Sequence, residues 1–216
     1  SKYRSIYGEQ VSPISFDNNK EATAFFDRYK DVSNFPIFGQ NYYAYQYITE
    51  KFPSTVEWDA SKMAIYSIDI ETTSEGGFPN VDSPSEKVLV ITLQNNNTKK
   101  ITTFGLGEFT PTHETSKYDV DWIGCKDEYT LLKTFVEWWE ENTPDIITGW
   151  NSNLFDIPYM IGRIERILGE GEHKRLSPFG LVNKRPIRFA NREMTAYEIT
   201  GVAQLDYLDL YKKFTY

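Results

Sequence analysis

Met63-Ala64-Ile65-Tyr66-Ser67-Ile68-Asp69-Ile70-Glu71 reads as an apolar strand that ends in two carboxylates. Side chains alternate across a strand, so Ala64, Tyr66, Ile68 and Ile70 line one face while Ile65, Ser67, Asp69 and Glu71 line the other. Adjacent carboxylates repel, and the repulsion is relieved by a shared proton, a basic partner or a divalent cation. Solvation at a strand end is the commoner explanation of an isolated Asp-x-Glu, so the pair gains meaning only from what surrounds it.

Downstream, Thr72 to Asp82 is a loop with Gly76, Gly77, Phe78 and Pro79. Val88 to Gln94 is an apolar strand, and Lys100 to Leu106 pairs with it around the turn-forming Asn95-Asn96-Asn97. The period then changes: Lys126 to Asn142 sets Tyr129, Leu132, Phe135, Val136 and Trp139 along one helical face, and Asp145 to Thr148 returns as a short strand. This order predicts an α/β domain, a mixed β-sheet flanked by helices. Pro158 suits the first turn of a helix that runs to Leu168 and stops at Gly169. Asp156 falls at or just before its start, where an acid capping the helix contributes about 0.5–2 kcal/mol. Ile187 to Ala190 and Thr195 to Ile199 form a hairpin, Val202 to Leu205 a strand, and Asp206 or Asp209 opens a last helix.

Upstream, residues 1–60 read as a small appended unit. Asp17, Asn18 or Asn19 caps a helix that continues to Lys30, Tyr42 to Ile48 is strand-like, and Lys51 to Ala60 connects to the next unit.

Composition narrows the function classes. The chain has 216 residues, 16% of them aromatic, which favours a packed core. One cysteine, Cys125, excludes an internal disulfide, and with only His113 and His173 beside it a zinc site is disfavoured. No run of about 18 apolar residues occurs, and no charged-then-apolar leader opens the chain, so the expectation is a soluble, intracellular protein without a membrane partner. The net charge of −8 argues against tight nucleic-acid binding through bulk electrostatics. Between Arg163 and Arg192, however, eight basic residues face three acids, Glu165, Glu170 and Glu172. That segment is either a polyanion-facing surface or a solvated helix-and-loop face.

Asp69-Ile70-Glu71, the loop with Gly77-Phe78-Pro79, and Asn151 with Phe155-Asp156 opening a helix together resemble the first two exonuclease motifs of family B DNA polymerases. Gly149-Trp150-Asn151, Arg175-Leu176-Ser177-Pro178 and Leu205-Asp206-Tyr207-Leu208-Asp209-Leu210-Tyr211-Lys212-Lys213-Phe214 extend the likeness to the polymerases of T-even-type bacteriophages. The resemblance implies an RNase H-like exonuclease fold over 61–216, and part of a small α+β amino-terminal domain of the polymerase over 1–60. It implies 3′-5′ proofreading with two Mg²⁺ or Mn²⁺ ions about 3.5–4 Å apart. Asp69 would bridge both metals, Glu71 would help hold the one that activates water, and Asp156 the one that stabilises the leaving oxygen. Phe78 aligns with a phenylalanine that wedges against terminal bases, and the hairpin carrying Arg188 and Arg192 with a loop that separates primer from template. Asn151 and Phe155 complete the implied DNA contacts. The implied partners are the single-stranded 3′ end of a DNA primer and the rest of the polymerase chain, in the cytoplasm of an infected bacterial host.

The resemblance stops at the family's third motif, Tyr-x-x-x-Asp, whose fourth carboxylate has no counterpart at that spacing in this sequence. A histidine variant, His-x-x-x-x-Asp, is absent too: five residues after His113 stands Tyr118, and five after His173 stands Pro178. The chain is therefore expected to be a piece of a longer polymerase, lacking the carboxyl-terminal part of the exonuclease domain and impaired by that lack. A non-catalytic DNA-binding or scaffold module on the same fold, and an RNase H-like endonuclease, are the alternatives.

Overall fold

The computed structural model describes residues 2–39, 43–189 and 192–215, without the side chains of Tyr43, Arg188, Phe189 and Arg192. Two units divide the chain, Ser1–Trp58 and Asp59–Tyr216.

In the first unit, β1 (Tyr3–Arg4) pairs antiparallel with β2 (Gln10–Val11). Helix α1 (Asn19–Tyr29) begins where Asn18 accepts the Glu21 amide at 3.0 Å, while Glu21 Oε1 accepts from the Asn18 side chain at 2.9 Å. The first bond satisfies a backbone amide that the helix cannot, and the second, between side chains, holds the cap in place. Phe25 packs against Phe16, Tyr29 and Phe35, with ring centroids 5.2, 4.7 and 6.3 Å apart. The strand expected over Tyr42 to Ile48 is not formed over its described residues. Tyr43–Lys51 is a helix, α2, in which Thr49 Oγ1 donates to the Tyr45 carbonyl at 2.8 Å. A strand needs a neighbouring edge for its backbone groups, whereas a helix satisfies its own, so aromatic β-propensity yields where no partner strand is supplied.

The second unit is built on a mixed six-stranded sheet in the order β10-β7-β3-β4-β5-β6. Its strands are β3 (Ile65–Thr72), β4 (Val88–Asn95), β5 (Ile101–Leu106), β6 (Val120–Cys125), β7 (Ile146–Gly149) and β10 (Ala203–Asp206). β3, β7 and β10 run parallel, so their carboxyl ends open on one edge of the sheet, the usual place for a ligand in such folds. The antiparallel hairpin β8 (Val182–Phe189) with β9 (Arg192–Ile199) forms a separate two-stranded sheet, longer than the expected Ile187–Ala190 and Thr195–Ile199. β6 carries little strand signal in the sequence. It is short, contains a glycine, and pairs parallel with β5 across the loop between them, with Trp122 packed so closely over Gly105 that a side chain there would strike its ring.

Helices α3 (Glu128–Glu141) and α4 (Asp156–Leu168) pack on the sheet and on each other. Leu131, Leu132, Phe135, Val136 and Trp139 of α3 are fully buried with Ile91, Leu93 and Phe104 of the sheet and Ile157, Met160, Ile161 and Ile164 of α4. Four of the five positions expected on the buried α3 stripe are inside; the exception is Tyr129, which is 53% exposed, and Leu131 is buried instead. Glu128 and Arg163 form a buried bidentate pair between the two helices; Glu128 Oε1 also accepts the Val88 amide at 2.9 Å. With every polar atom partnered, the pair fixes the register of α3 against α4 and the start of β4. Helix α5 (Tyr207–Phe214) follows β10, capped by Asp206.

Candidate active site

Strand β3 outruns its neighbour. Its parallel pairing with β7 ends at Ser67 opposite Thr148, so the backbone of Ile68 to Glu71 projects past the end of β7. Alternation then does what the sequence requires: Ile68 and Ile70 are buried, and Asp69 and Glu71 are exposed on the opposite face. A register shift between Glu71 and Thr72 marks a bulge that turns the strand end.

β7 closes on Gly149, where a Cβ would lie 2.7 Å from the Ile68 carbonyl, so only glycine permits this approach of β7 to β3. The chain turns through Trp150–Phe155, with Asn151 at φ 61°, and enters α4 at Asp156. Asp156 is not a cap: Phe155 holds the cap position, and no side-chain bond closes that end. Its Oδ1 instead accepts the Ile70 amide at 3.1 Å, on the edge of β3 that β7 leaves unpaired. Being 4% exposed, the Asp156 carboxyl is pushed up to about 7, by burial first and then by the charge of Asp69, with Asp206 adding to it and the Ile70 amide opposing. Asp156 is thus held on the backbone one residue from Asp69, within reach of its charge, and Glu71 lies two residues farther along the same face of β3 as Asp69. Among the described residues no group of three or more His, Cys, Asp or Glu side chains is close enough to hold a metal ion.

The Phe78 loop is held from below. Glu86 accepts from the Thr73 hydroxyl and from the amides of Gly76 (2.9 Å) and Glu75 (3.2 Å), bonds that hold its carboxyl below the usual range. Phe78 is 87% exposed, its ring 5.6 Å from Phe155, which stacks on the buried Tyr159 at 5.5 Å. The Tyr159 hydroxyl donates to the Glu86 carbonyl at 2.8 Å, so the aromatic ladder and the loop share one anchor.

Residues 39–216 match the family described as DNA polymerase family B, exonuclease domain. The chain belongs to that family. Along its whole length it is 30% identical to the DNA-directed DNA polymerase of Enterobacteria phage T4 and 29% identical to that of Escherichia phage RB69. It is 28% identical, over 53% of its length, to the DNA polymerase catalytic subunit of Human herpesvirus 8 type P, of which it covers 11%. The chain spans about a quarter (26%) of each of the two phage relatives.

In this family B exonuclease domain the basic segment is divided. Arg163 is buried against Glu128, Arg175 pairs with Glu140 and Glu172, and Arg166 donates to the Pro84 carbonyl at 3.1 Å. Carboxylates thus take up two of the eight cations, Arg163 and Arg175, while Arg166 stays exposed on a backbone carbonyl, and the segment is not one cationic face. Arg188 and Arg192 lie opposite Glu193 and Phe189 in the β8–β9 register; their side chains lie outside the described residues. Two participants have roles that local sequence does not show. Glu86 carries no motif, and its role depends on a loop closing back on it. Asp206 was visible as the start of a helix, but not as a partner of the Trp150–Phe155 turn.

Proposed function

We propose that this chain is the 3′-5′ proofreading exonuclease region of a phage replicative DNA polymerase, hydrolysing the terminal phosphodiester at the single-stranded 3′ end of a primer. The observation that carries the reading is the buried Asp156 carboxylate held on the Ile70 amide, one residue from Asp69, at the open edge of the sheet in a chain of this family.

Asp69, Glu71 and Asp156 would hold Mg²⁺ or Mn²⁺, hard cations that take carboxylate oxygens. The donor set fits: two facing carboxylates repel, and Mg²⁺ commonly takes only one or two protein carboxylates, filling its shell with substrate phosphate oxygens and water. Bound there, the ions supply an activated water and charge stabilisation at the leaving oxygen. The chain's own residues orient the substrate. Phe78, exposed and backed by the half-buried Phe155, would stack on the terminal bases, a contact worth about 1–3 kcal/mol per base. Asn151, Arg188 and Arg192 would contact the strand, and residues 1–60 belong to the polymerase's amino-terminal domain. The remaining polymerase domains are the expected partner, in the cytoplasm of the infected host.

A second reading, a non-catalytic DNA-binding module, is favoured by the lack of a third convergent carboxylate among the described residues. A 3′-end-labelled single-stranded oligonucleotide with saturating Mn²⁺ separates the two. Slow, metal-dependent release of mononucleotides that Asp69→Ala abolishes supports the exonuclease. No hydrolysis, with oligonucleotide binding retained, returns the chain to the binding module, and cleavage of circular DNA makes it an endonuclease.

A further inference from the structure

Asp206 ends β10 opposite Gly149, the last residue of β7, and is 4% exposed. Its carboxylate accepts three backbone amides: Oδ1 from Asn151 at 2.9 Å and Leu208 at 2.8 Å, Oδ2 from Asn153 at 2.9 Å. Leu208 is the cap bond of α5. The other two belong to the turn that delivers the chain to Asp156. That turn needs holding, because Asn151 sits in the left-handed region at φ 61°, at a cost of about 1–3 kcal/mol for a residue other than glycine. Displacement at Asn151 cannot be absorbed locally. Its carbonyl accepts the amides of Leu154 (3.1 Å) and Phe155 (3.0 Å), and the Ser152 carbonyl accepts that of Ile157 (2.9 Å), so the turn and the first turn of α4 move together.

We infer that Asp206 is a positioning residue of the nuclease site, clamping the Trp150–Phe155 turn so that Asp156 faces Asp69. Both Asp206 oxygens are committed to amides, a set that an ionised carboxylate satisfies and a hydroxyl or amide side chain does not. The role rests on the exonuclease reading for its consequence, but the clamp itself can be read without activity. A reacting group misplaced by about 1 Å loses on the order of a hundredfold in rate.

The test uses the 216-residue chain and three variants. Asp206→Ser keeps a cap for Leu208 but cannot hold both turn amides; Asp206→Asn keeps one acceptor oxygen. Asp127→Ala removes the cap of α3, a bond from the Thr130 amide at 2.8 Å, and serves as a control for lost stability alone. With labelled oligonucleotide and saturating Mn²⁺, kcat is expected to fall roughly tenfold in Asp206→Asn and roughly a hundredfold in Asp206→Ser, and to stay at the wild-type level in Asp127→Ala at a comparable loss of Tm. Amide hydrogen exchange without metal or DNA should show Asn151 and Asn153 losing protection in Asp206→Ser. Wild-type kcat in folded Asp206→Ser, an equal loss in Asp127→Ala, or unchanged exchange at the two amides overturns the inference. A wild-type chain that is inactive, but whose turn loosens in Asp206→Ser, removes only the exonuclease reading. Should Asp206→Ser not fold, Asp206→Asn carries both measurements.

Discussion

Asp156 joins local chemistry to the site most directly. Its carboxyl titrates near 7 in the folded chain against an ordinary value of 3.8, so the folded state binds the extra proton between those limits. Stability is therefore highest below about pH 4 with respect to this group and declines as pH rises toward 7, the unfolded chain ionising first. Asp156→Asn keeps an acceptor for the Ile70 amide and has no charge to bury. It should raise stability by roughly 2–4 kcal/mol at pH 8 and by almost nothing at pH 4, while abolishing metal-dependent hydrolysis. Urea unfolding at the two pH values checks this, and a gain independent of pH would refute it. Phe78, exposed over Phe155, belongs to the same scale. If the proposed stacking on terminal bases is right, Phe78→Ala should raise KM for an oligonucleotide about tenfold with little change in Tm, because the exposed ring adds little to the core. Steady-state kinetics on oligonucleotides of equal length decide it.

Among the elements, the join of α3 to α4 depends on one buried ion pair, and the approach of β7 to β3 on one missing methyl group. Replacing Arg163 by Met leaves the Glu128 charge buried with only the Val88 amide, and should cost about 3–5 kcal/mol. Arg163→Met with Glu128→Leu should recover much of that loss, because the penalty comes from the unpaired charge rather than from the pair's own worth. Chemical denaturation of the two single variants and the double variant closes the cycle. Gly149→Ala forces a Cβ toward the Ile68 carbonyl at 2.7 Å and the Ser152 Cβ at 2.9 Å, so it should cost about 1–3 kcal/mol. Because the turn to Asp156 begins there, activity should fall by more than the loss of folded protein explains; a fall matched by the unfolded fraction would exclude that coupling.

Across the whole molecule, the proposed function asks an acidic chain to bind a polyanion. With a net charge of −8, and with Arg163 and Arg175 committed to internal carboxylates, affinity for single-stranded DNA should be weak without divalent cations and rise steeply with them. The salt dependence should be shallow. If Arg188 and Arg192 each neutralise one phosphate, replacing both by Ala should flatten the slope of log K against log salt by about 1.4. Fluorescence anisotropy at several salt concentrations measures it, and an unchanged slope removes the hairpin from the DNA interface.

What the sequence determined by itself was everything set within a few residues. Strand alternation put Asp69 and Glu71 on the solvent face, short polar residues narrowed two helix starts to Asp17–Asn19 and to Asp206 or Asp209, and Pro158 and Gly169 bracketed α4. Periods of two and 3.6 are local properties, so they survive without knowledge of neighbours. Tertiary structure decided the rest, because the deciding partners are remote in sequence. Asp156 turns from helix cap to buried carboxyl through an amide 86 residues away, Arg163 becomes a core residue through Glu128, 35 residues distant, and Tyr43–Lys51 is a helix for want of a strand to join. Burial and pairing are set by whichever surfaces the fold brings together, and no local period encodes that.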